Sequence, residues 1–145
     1  MKFTIEKIDF QKEEEVIARC YDAEKDWVKS VKSAVTDGLC IKGKNDGDIY
    51  SVNVKNIYYF ECVDNHSFFY TKDKVFESPL KVYEFEELTK DFKFFKASKS
   101  TVVNIRKIRS VKPSVSGRFE VTLLNDYKLL VSRLYVRELK NIMGL

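Results

Sequence analysis

From residue 39 onward, short apolar segments alternate with turn signals, and this pattern constrains the fold more than any other feature of the sequence. Within each segment apolar and polar residues alternate with a period of two, and Ile, Val, Tyr and Phe are frequent, as is typical of strands. Turn residues such as Asn45-Asp46-Gly47 and Asp64-Asn65 separate the segments. The predicted strands cover residues 39–42, 49–54, 57–63, 66–71, 75–78, 94–97, 101–104, 108–112, 118–124 and 128–131.

Short helices complete the prediction. Asp22 is a candidate N-cap for a helix that carries Trp27 and Val31 on its apolar face and ends at Gly38. A second helix is expected near residues 80–89, and Ser132 is expected to cap a third that ends at Gly144. The fold class is therefore α+β and mostly β.

The N-terminal residues differ in pattern from the rest of the chain. Residues 2–9 alternate and predict a short strand, and residues 16–20 predict a weaker one. With the helix that follows, they form an N-terminal strand–helix extension over residues 1–38, and the β-rich domain covers residues 39–145. A total of 145 residues suits one domain with such an extension.

Charge is distributed very unevenly along the chain. Residues 92–145 contain 12 Lys/Arg against 3 Asp/Glu, a net charge of +9, whereas residues 1–37 carry −2 and residues 38–91 carry −3. Charge that served only solubility would be dispersed, so this asymmetry indicates a polyanionic partner. Nucleic acid is the leading candidate and an anionic membrane surface is the second.

Several polar residues of the basic third could bind phosphate. Lys96, Lys99 and Ser100 lie beside a strand-like segment, and Lys with Ser supplies charge together with a short hydrogen-bond donor. Ser132 with Arg133 at the start of the last helix would form an anion site. The structural alternatives are lysines that protect an edge strand and an arginine that extends into water.

Motifs of catalysis and metal binding are lacking. The sequence contains no GxSxG, Walker A, GxGxxG, HExxH or EF-hand motif, so we expect no enzyme and no cofactor. Cys20, Cys40 and Cys62 form no CxxC pair and His66 is the single histidine, so we expect buried thiols rather than a metal site. Without a signal peptide or an apolar run of about 18 residues, the chain is expected to be cytoplasmic.

Two aromatic runs, residues 58–60 and 68–70, could in principle stack on unpaired bases. Alternation instead predicts that at least half of these rings lie in the core. A single-strand nucleic-acid binder is therefore an alternative function. A protein-interaction module, with the N-terminal extension docking a membrane or cytosolic inhibitor, is another.

Four blocks in order carry a resemblance to a known family: residues 57–65 (IYYFECVDN), 94–104 (FFKASKSTVVN), 116–120 (SGRFE) and 130–136 (LVSRLYV), followed by Leu139. Together they resemble the LytTR family of bacterial DNA-binding domains over roughly residues 40–145. The resemblance implies packed antiparallel sheets with short helices. It also implies loops that enter successive major grooves of promoter DNA, bound as pairs on direct repeats. Transcription regulation, as in response regulators, is the implied function.

The resemblance also implies which residues contact DNA. His66 with Asn65 falls on the position of a groove-reading hairpin, Lys99 and Ser100 on a second position, and Ser132, Arg133 and Arg137 on a third. Many relatives carry a second basic residue where this chain has Leu134. About 40 residues precede the domain, which is too few for a receiver domain, so a stand-alone regulator is expected. By analogy with the family, a membrane protein encoded beside it would control it. Double-stranded DNA is the expected partner, with a homodimer forming on it.

Overall fold

The ten segments of period-two alternation form ten strands in a computed structural model, which describes residues 2–8, 15–36 and 38–145. Contacts divide the chain into two units, residues 1–37 and 38–145. The helices are α1 (Asp26–Thr36), α2 (Val82–Leu88) and α3 (Val136–Met143). The strands are β1 (Cys40–Asn45), β2 (Asp48–Asn53), β3 (Tyr59–Val63), β4 (His66–Tyr70), β5 (Val75–Ser78), β6 (Phe94–Ser98), β7 (Thr101–Asn104), β8 (Ile108–Pro113), β9 (Phe119–Leu123) and β10 (Lys128–Val131).

Among the described residues of the N-terminal unit, α1 is the one helix or strand, and the strands predicted there are wrong. Residues 2–8 and 15–20 adopt no strand, and residues 9–14 lie outside the described part of the chain. A strand needs a ladder partner, and the described residues of this unit supply none. Helix α1 begins at Asp26, later than predicted, because the Asp22 carboxylate accepts a hydrogen bond from the Glu24 backbone N–H at 2.9 Å and closes a turn instead.

The second unit contains two antiparallel sheets. Seven strands form the larger sheet in the order β2-β1-β5-β4-β3-β7-β6, and three form the smaller sheet in the order β10-β9-β8. Tight hairpin turns fix the register of several pairs. Asp46, Asp64 and Asn65 have positive φ values of 50°, 49° and 63°, a conformation that Asp and Asn tolerate better than most residues.

The central strands of the larger sheet are buried on both faces. Tyr59 and Phe60 are adjacent in β3 and are both buried, although alternate residues of a strand point to opposite faces. The adjacent pair Val102 and Val103 in β7 repeats this arrangement. The larger sheet therefore needs a cover on each side.

Helix α2 covers one face. Phe85 is fully buried and stacks on Phe60 with ring centroids 4.4 Å apart, and its edge meets Phe94 at 5.4 Å. The helix begins where predicted to within two residues, and the Lys81 backbone N–H donates to the Glu84 carboxylate at 3.1 Å. Phe69 and Phe76 extend this cluster beneath β1.

The smaller sheet and α3 cover the other face. Val121, Leu123 and Val131 from the smaller sheet pack with Leu139 of α3 against Tyr59 and its neighbours in the larger sheet. Gly144 ends α3 with a φ of 72°, as the prediction of a glycine stop required.

The aromatic runs are core residues, as alternation predicted. Tyr58, Tyr59, Phe60 and Phe69 are buried, while Phe68 and Tyr70 are half-buried. Tyr59 stacks between Tyr70 and Tyr127 at centroid distances of 4.1 and 4.9 Å. Burial, reinforced by a hydrogen bond with Tyr127, raises the pKa of Tyr59 far above its ordinary value, so this phenol stays neutral.

The cysteines differ from the prediction of buried thiols. Cys20 and Cys40 are exposed and Cys62 is half-buried. Cys40 lies on the exposed side of its strand, because the alternating neighbour Ile41 takes the buried position. Among the described helices, none is long and apolar enough to cross a membrane.

Gly43 is a sensitive point of the core. A Cβ built on Gly43 would lie 2.6 Å from Cβ of Phe76 and against the ring of Phe69, whereas a Cβ on Gly38 would meet nothing within 4 Å. We expect Gly43→Ala to lower the free energy of unfolding by about 1–3 kcal/mol through overpacking. Gly38→Ala is the control and should change it by less than about 0.5 kcal/mol. Urea denaturation of both variants measures the difference, and equal effects would contradict this packing.

Candidate nucleic-acid interface

Three chain segments meet in an open groove of about 800 Å³ at one end of the second unit. They are the β6–β7 turn, the β8–β9 turn and the segment that joins β10 to α3. The residues that line it are Ser98, Lys99, Ser100, Ser116, Arg118, Ser132, Arg133, Leu134 and Tyr135. Hydroxyl groups and cations therefore predominate, and none of the described residues lining the groove is acidic.

The β6–β7 turn presents Lys99 and Ser100, as predicted. Ser98 Oγ accepts a hydrogen bond from the Ser100 backbone N–H at 3.3 Å, which keeps the turn tight. The Ser100 carbonyl accepts from the Cys62 backbone N–H at 2.9 Å and ties the turn to β3. Lys99 and Ser100 are both exposed.

The segment after β10 is held differently from the prediction. Arg133–Tyr135 form a 3-10 turn and α3 starts only at Val136, so Ser132 is not the N-cap of the last helix. Its hydroxyl makes no capping hydrogen bond. The backbone is fixed instead, because the Ser132 N–H donates to the Ala97 carbonyl at 2.8 Å and links the smaller sheet to β6.

The β8–β9 turn contributes two groove residues that were not among the predicted DNA contacts, Ser116 and Arg118. Ser116 and Gly117 have φ values of 58° and 72°. Gly117 faces Arg133, since a Cβ built there would lie 3.0 Å from Arg133 Cδ. The Ser-Gly-Arg sequence in a basic stretch marks a polar turn, but nothing local shows that it meets Arg133.

Electrostatics favours an anion in this groove. Within the described residues Lys99, Arg118 and Arg133 make no ion pair, whereas acidic groups of the smaller sheet are occupied elsewhere. Glu120 lies between Lys112 and Lys128 at 3.5 and 3.8 Å, and Asp126 pairs with Arg109. The cations of the groove are thus free to bind a polyanion.

Asn65 and His66 lie at the same end of the larger sheet but line a separate groove. The register places their hairpin beside the β6–β7 turn, because Cys62 of β3 contacts both Ser67 of β4 and the Ser100 carbonyl. His66 is exposed and its Nδ1 lies 3.9 Å from a carboxylate oxygen of Glu77. The hairpin therefore projects near the basic groove without forming part of it.

Lys96 and Arg137 do not line the basic groove. Lys96 is half-buried on the α2 side of β6, in a smaller cavity that Glu86 and Glu138 also line. Arg137 is exposed in the first turn of α3. Of the eight residues predicted to bind DNA, the structure brings together four: Lys99, Ser100, Ser132 and Arg133.

The described residues also bear on a metal site and on a base-stacking surface. Among the described residues no group of three or more His, Cys, Asp or Glu side chains could hold a metal ion. The aromatic runs expose none of their six rings by more than an intermediate amount, which argues against stacking of unpaired bases on these strands.

Comparison with known proteins identifies a family. Residues 47–144 match the family model described as LytTr DNA-binding domain. The transcriptional regulatory protein YpdB of Escherichia coli O6:H1 is 25% identical over 155 residues, which cover 99% of this chain and 63% of YpdB. YpdB of strain K12 is 30% identical over 101 residues, which cover 69% of this chain and 41% of that protein.

Two further matches extend the comparison. The sensory transduction protein LytT of Enterococcus faecalis is 26% identical over 114 residues, with 79% of this chain and 46% of LytT covered. A LytTr DNA-binding domain from Bacillus cereus superposes with a TM-score of 0.68 at 21% identity, covering 73% of this chain and 97% of that domain, and thus shares the fold. The chain spans about half the length of the curated relatives it matches.

The contact between Gly117 and Arg133 can be tested with a matched pair of glycines. Gly117 and Gly47 both have positive φ, but a Cβ on Gly47 would meet nothing within 4 Å. We expect alanine at either position to lower the free energy of unfolding by about 1–2 kcal/mol through backbone strain. Only Gly117→Ala should move the Arg133 side chain, as crystal structures of both variants would reveal. An unmoved Arg133 would contradict the contact.

Proposed function

Because the chain belongs to the LytTr DNA-binding domain family, we propose that it is a bacterial transcription regulator that binds promoter duplex DNA through the turns at one end of its sheets. The observation that carries this proposal is the basic groove, in which Lys99, Arg118 and Arg133 converge with serine hydroxyls and no acidic side chain. The resemblance favours insertion of these turns into the major groove.

Phosphate contacts would set the position of the protein on the duplex. Lys99 and Arg118 supply charge, and the hydroxyls of Ser100, Ser116 and Ser132 supply short donors for phosphate oxygens. These groups come from three turns that are distant in sequence, so a phosphate backbone running along the groove would contact all of them. Their contribution is independent of base sequence.

Base contacts would come from Arg133. Arg133 is exposed, and its aliphatic part lies against Gly117. An arginine in the major groove reads guanine through O6 and N7 with two parallel hydrogen bonds. The hairpin of Asn65 and His66 projects from the same end and would reach an adjacent part of the duplex.

The remaining expectations stay proposals of the same kind. Binding as pairs on direct repeats follows from the resemblance, as does control by a membrane protein. Docking of an inhibitor on the N-terminal unit rests instead on the helix and the acidic residues of that unit. Lys96 and Arg137 would contact DNA only beyond the rim of the groove. A regulator of bacterial promoters would act in the cytoplasm, where the chromosome lies.

Selection from a random duplex library at about 150 mM salt tests the proposal, because nonspecific binding is already weak there. We expect enrichment of a motif repeated one or two helical turns apart. Recovery of unselected duplexes with salt-labile binding would contradict a sequence-specific regulator.

Arg133→Ala should weaken binding to the selected site by about 1–3 kcal/mol and relax the preference at one base pair, since it removes a base contact. Arg106→Ala is the control, because Arg106 is exposed in the 3-10 turn after β7, at the opposite end of the sheet. Fluorescence anisotropy with matched and mutated duplexes measures both. Equal losses on all duplexes would reassign Arg133 to phosphate binding.

Lys99→Ala should weaken binding to every duplex alike, because Lys99 contributes charge in the groove. The slope of log affinity against log salt should fall by about one. Lys74→Ala, in the β4–β5 connection at the other end of the sheet, should leave the slope unchanged. A salt titration of the three proteins makes this comparison, and an unchanged slope for Lys99→Ala would place Lys99 outside the interface.

A further inference from the structure

Leu134 is an apolar side chain in the middle of a polar surface. It lines the basic groove between Arg133 and Tyr135 and is 76% exposed. Arg133 directly precedes it, and the other two groove segments present only serines and cations. Exposed leucines are common on protein surfaces, so its exposure alone carries no information. Its position among the groups that would face DNA is informative.

The turn that carries Leu134 is held rigidly at both ends. On the N-terminal side the Ser132 N–H is bonded to the Ala97 carbonyl at 2.8 Å, and the Tyr135 N–H closes the turn on the Ser132 carbonyl at 2.9 Å. On the C-terminal side Val136 and Leu139 are buried in the core. Leu134 therefore cannot turn inward without breaking these contacts, and it stays presented to whatever enters the groove.

The edges of the base pairs offer one apolar group to such a side chain. In the major groove, guanine, cytosine and adenine present hydrogen-bond donors and acceptors, and only thymine adds a C5-methyl group. We propose that Leu134 reads the methyl group of a thymine in the bound duplex and so determines part of the sequence preference. This inference rests on the proposed function, since it requires a duplex in the basic groove.

The thymine should lie close to the base read by Arg133. Arg133 and Leu134 are consecutive in one 3-10 turn and line the same groove. With about three residues per turn their side chains leave the backbone in different directions, but from one place. The thymine should therefore lie within the few base pairs around the position whose preference Arg133→Ala relaxes.

Deoxyuridine provides the sharpest test, because it differs from thymine by the methyl group alone. The full chain would be titrated with the selected duplex and with a set in which each thymine in turn is replaced by deoxyuridine. At one thymine per motif we expect binding to weaken about three- to fivefold, as expected for the loss of one buried methyl. Deoxyuridine at the other thymines should bind like thymine.

Leu134→Ala supplies the second arm. This substitution should weaken binding to the thymine duplex about three- to fivefold, so that the variant binds the thymine and deoxyuridine duplexes with equal affinity. The salt slope should stay unchanged because no charge is lost. Leu88→Ala, a half-exposed leucine at the end of α2, is the control and should retain the preference for thymine. Circular dichroism would confirm that both variants are folded.

The outcomes separate this inference from the proposed function. Sequence-selective binding in which no deoxyuridine weakens the complex overturns the reading of a methyl group and leaves the regulator intact. So does a thymine preference that persists in Leu134→Ala. A leucine inserted between base pairs as a wedge would give no deoxyuridine effect, and Leu134→Ala would then weaken binding to both duplexes alike. Failure to bind any duplex selectively overturns both proposals.

Discussion

Burial of both faces of the larger sheet is the constraint on which the second unit depends. The adjacent pairs Tyr59–Phe60 and Val102–Val103 send large apolar groups to opposite sides, so neither side of β3 and β7 can face water. Helix α2 covers one side, and the smaller sheet with α3 covers the other. The ends of the strands stay uncovered, and there the turns are free to carry polar and charged side chains.

The distribution of charge along the sequence now has a spatial reason. All three segments of the basic groove lie in residues 92–145, the part of the chain with 12 cations and 3 carboxylates. Glu120 and Asp126 are occupied by lysine and arginine partners within the smaller sheet. The cations without carboxylate partners therefore lie at the turns, and the fold places these turns side by side at the uncovered ends of the strands.

Local patterns predicted the strands well because short segments rich in Ile, Val, Tyr and Phe are separated by turn residues, and β1, β4 and β5 also alternate buried with less buried positions. The same rule failed for residues 2–8, where alternation is present but a pairing partner is not. Helix starts were harder to predict, since Ser132 has the right residue type but the 3-10 turn of Arg133–Tyr135 separates it from α3. Half of the predicted site residues meet in one groove. Ser116 and Arg118 were missed, because their nearness to Arg133 arises only when β9 and β10 pair, with Val131 opposite Phe119.

The hydrogen bond between Ser132 and Ala97 has a consequence for the partner as well as for the protein. It joins the two sheets next to the turn of Arg133–Tyr135, so the spacing between the β6–β7 turn and Arg133 is set by the fold. A DNA duplex that bound at both points would have to bend or twist until its own spacing matched this fixed separation. Base pairs that touch no side chain would then influence affinity through the stiffness of their stacking.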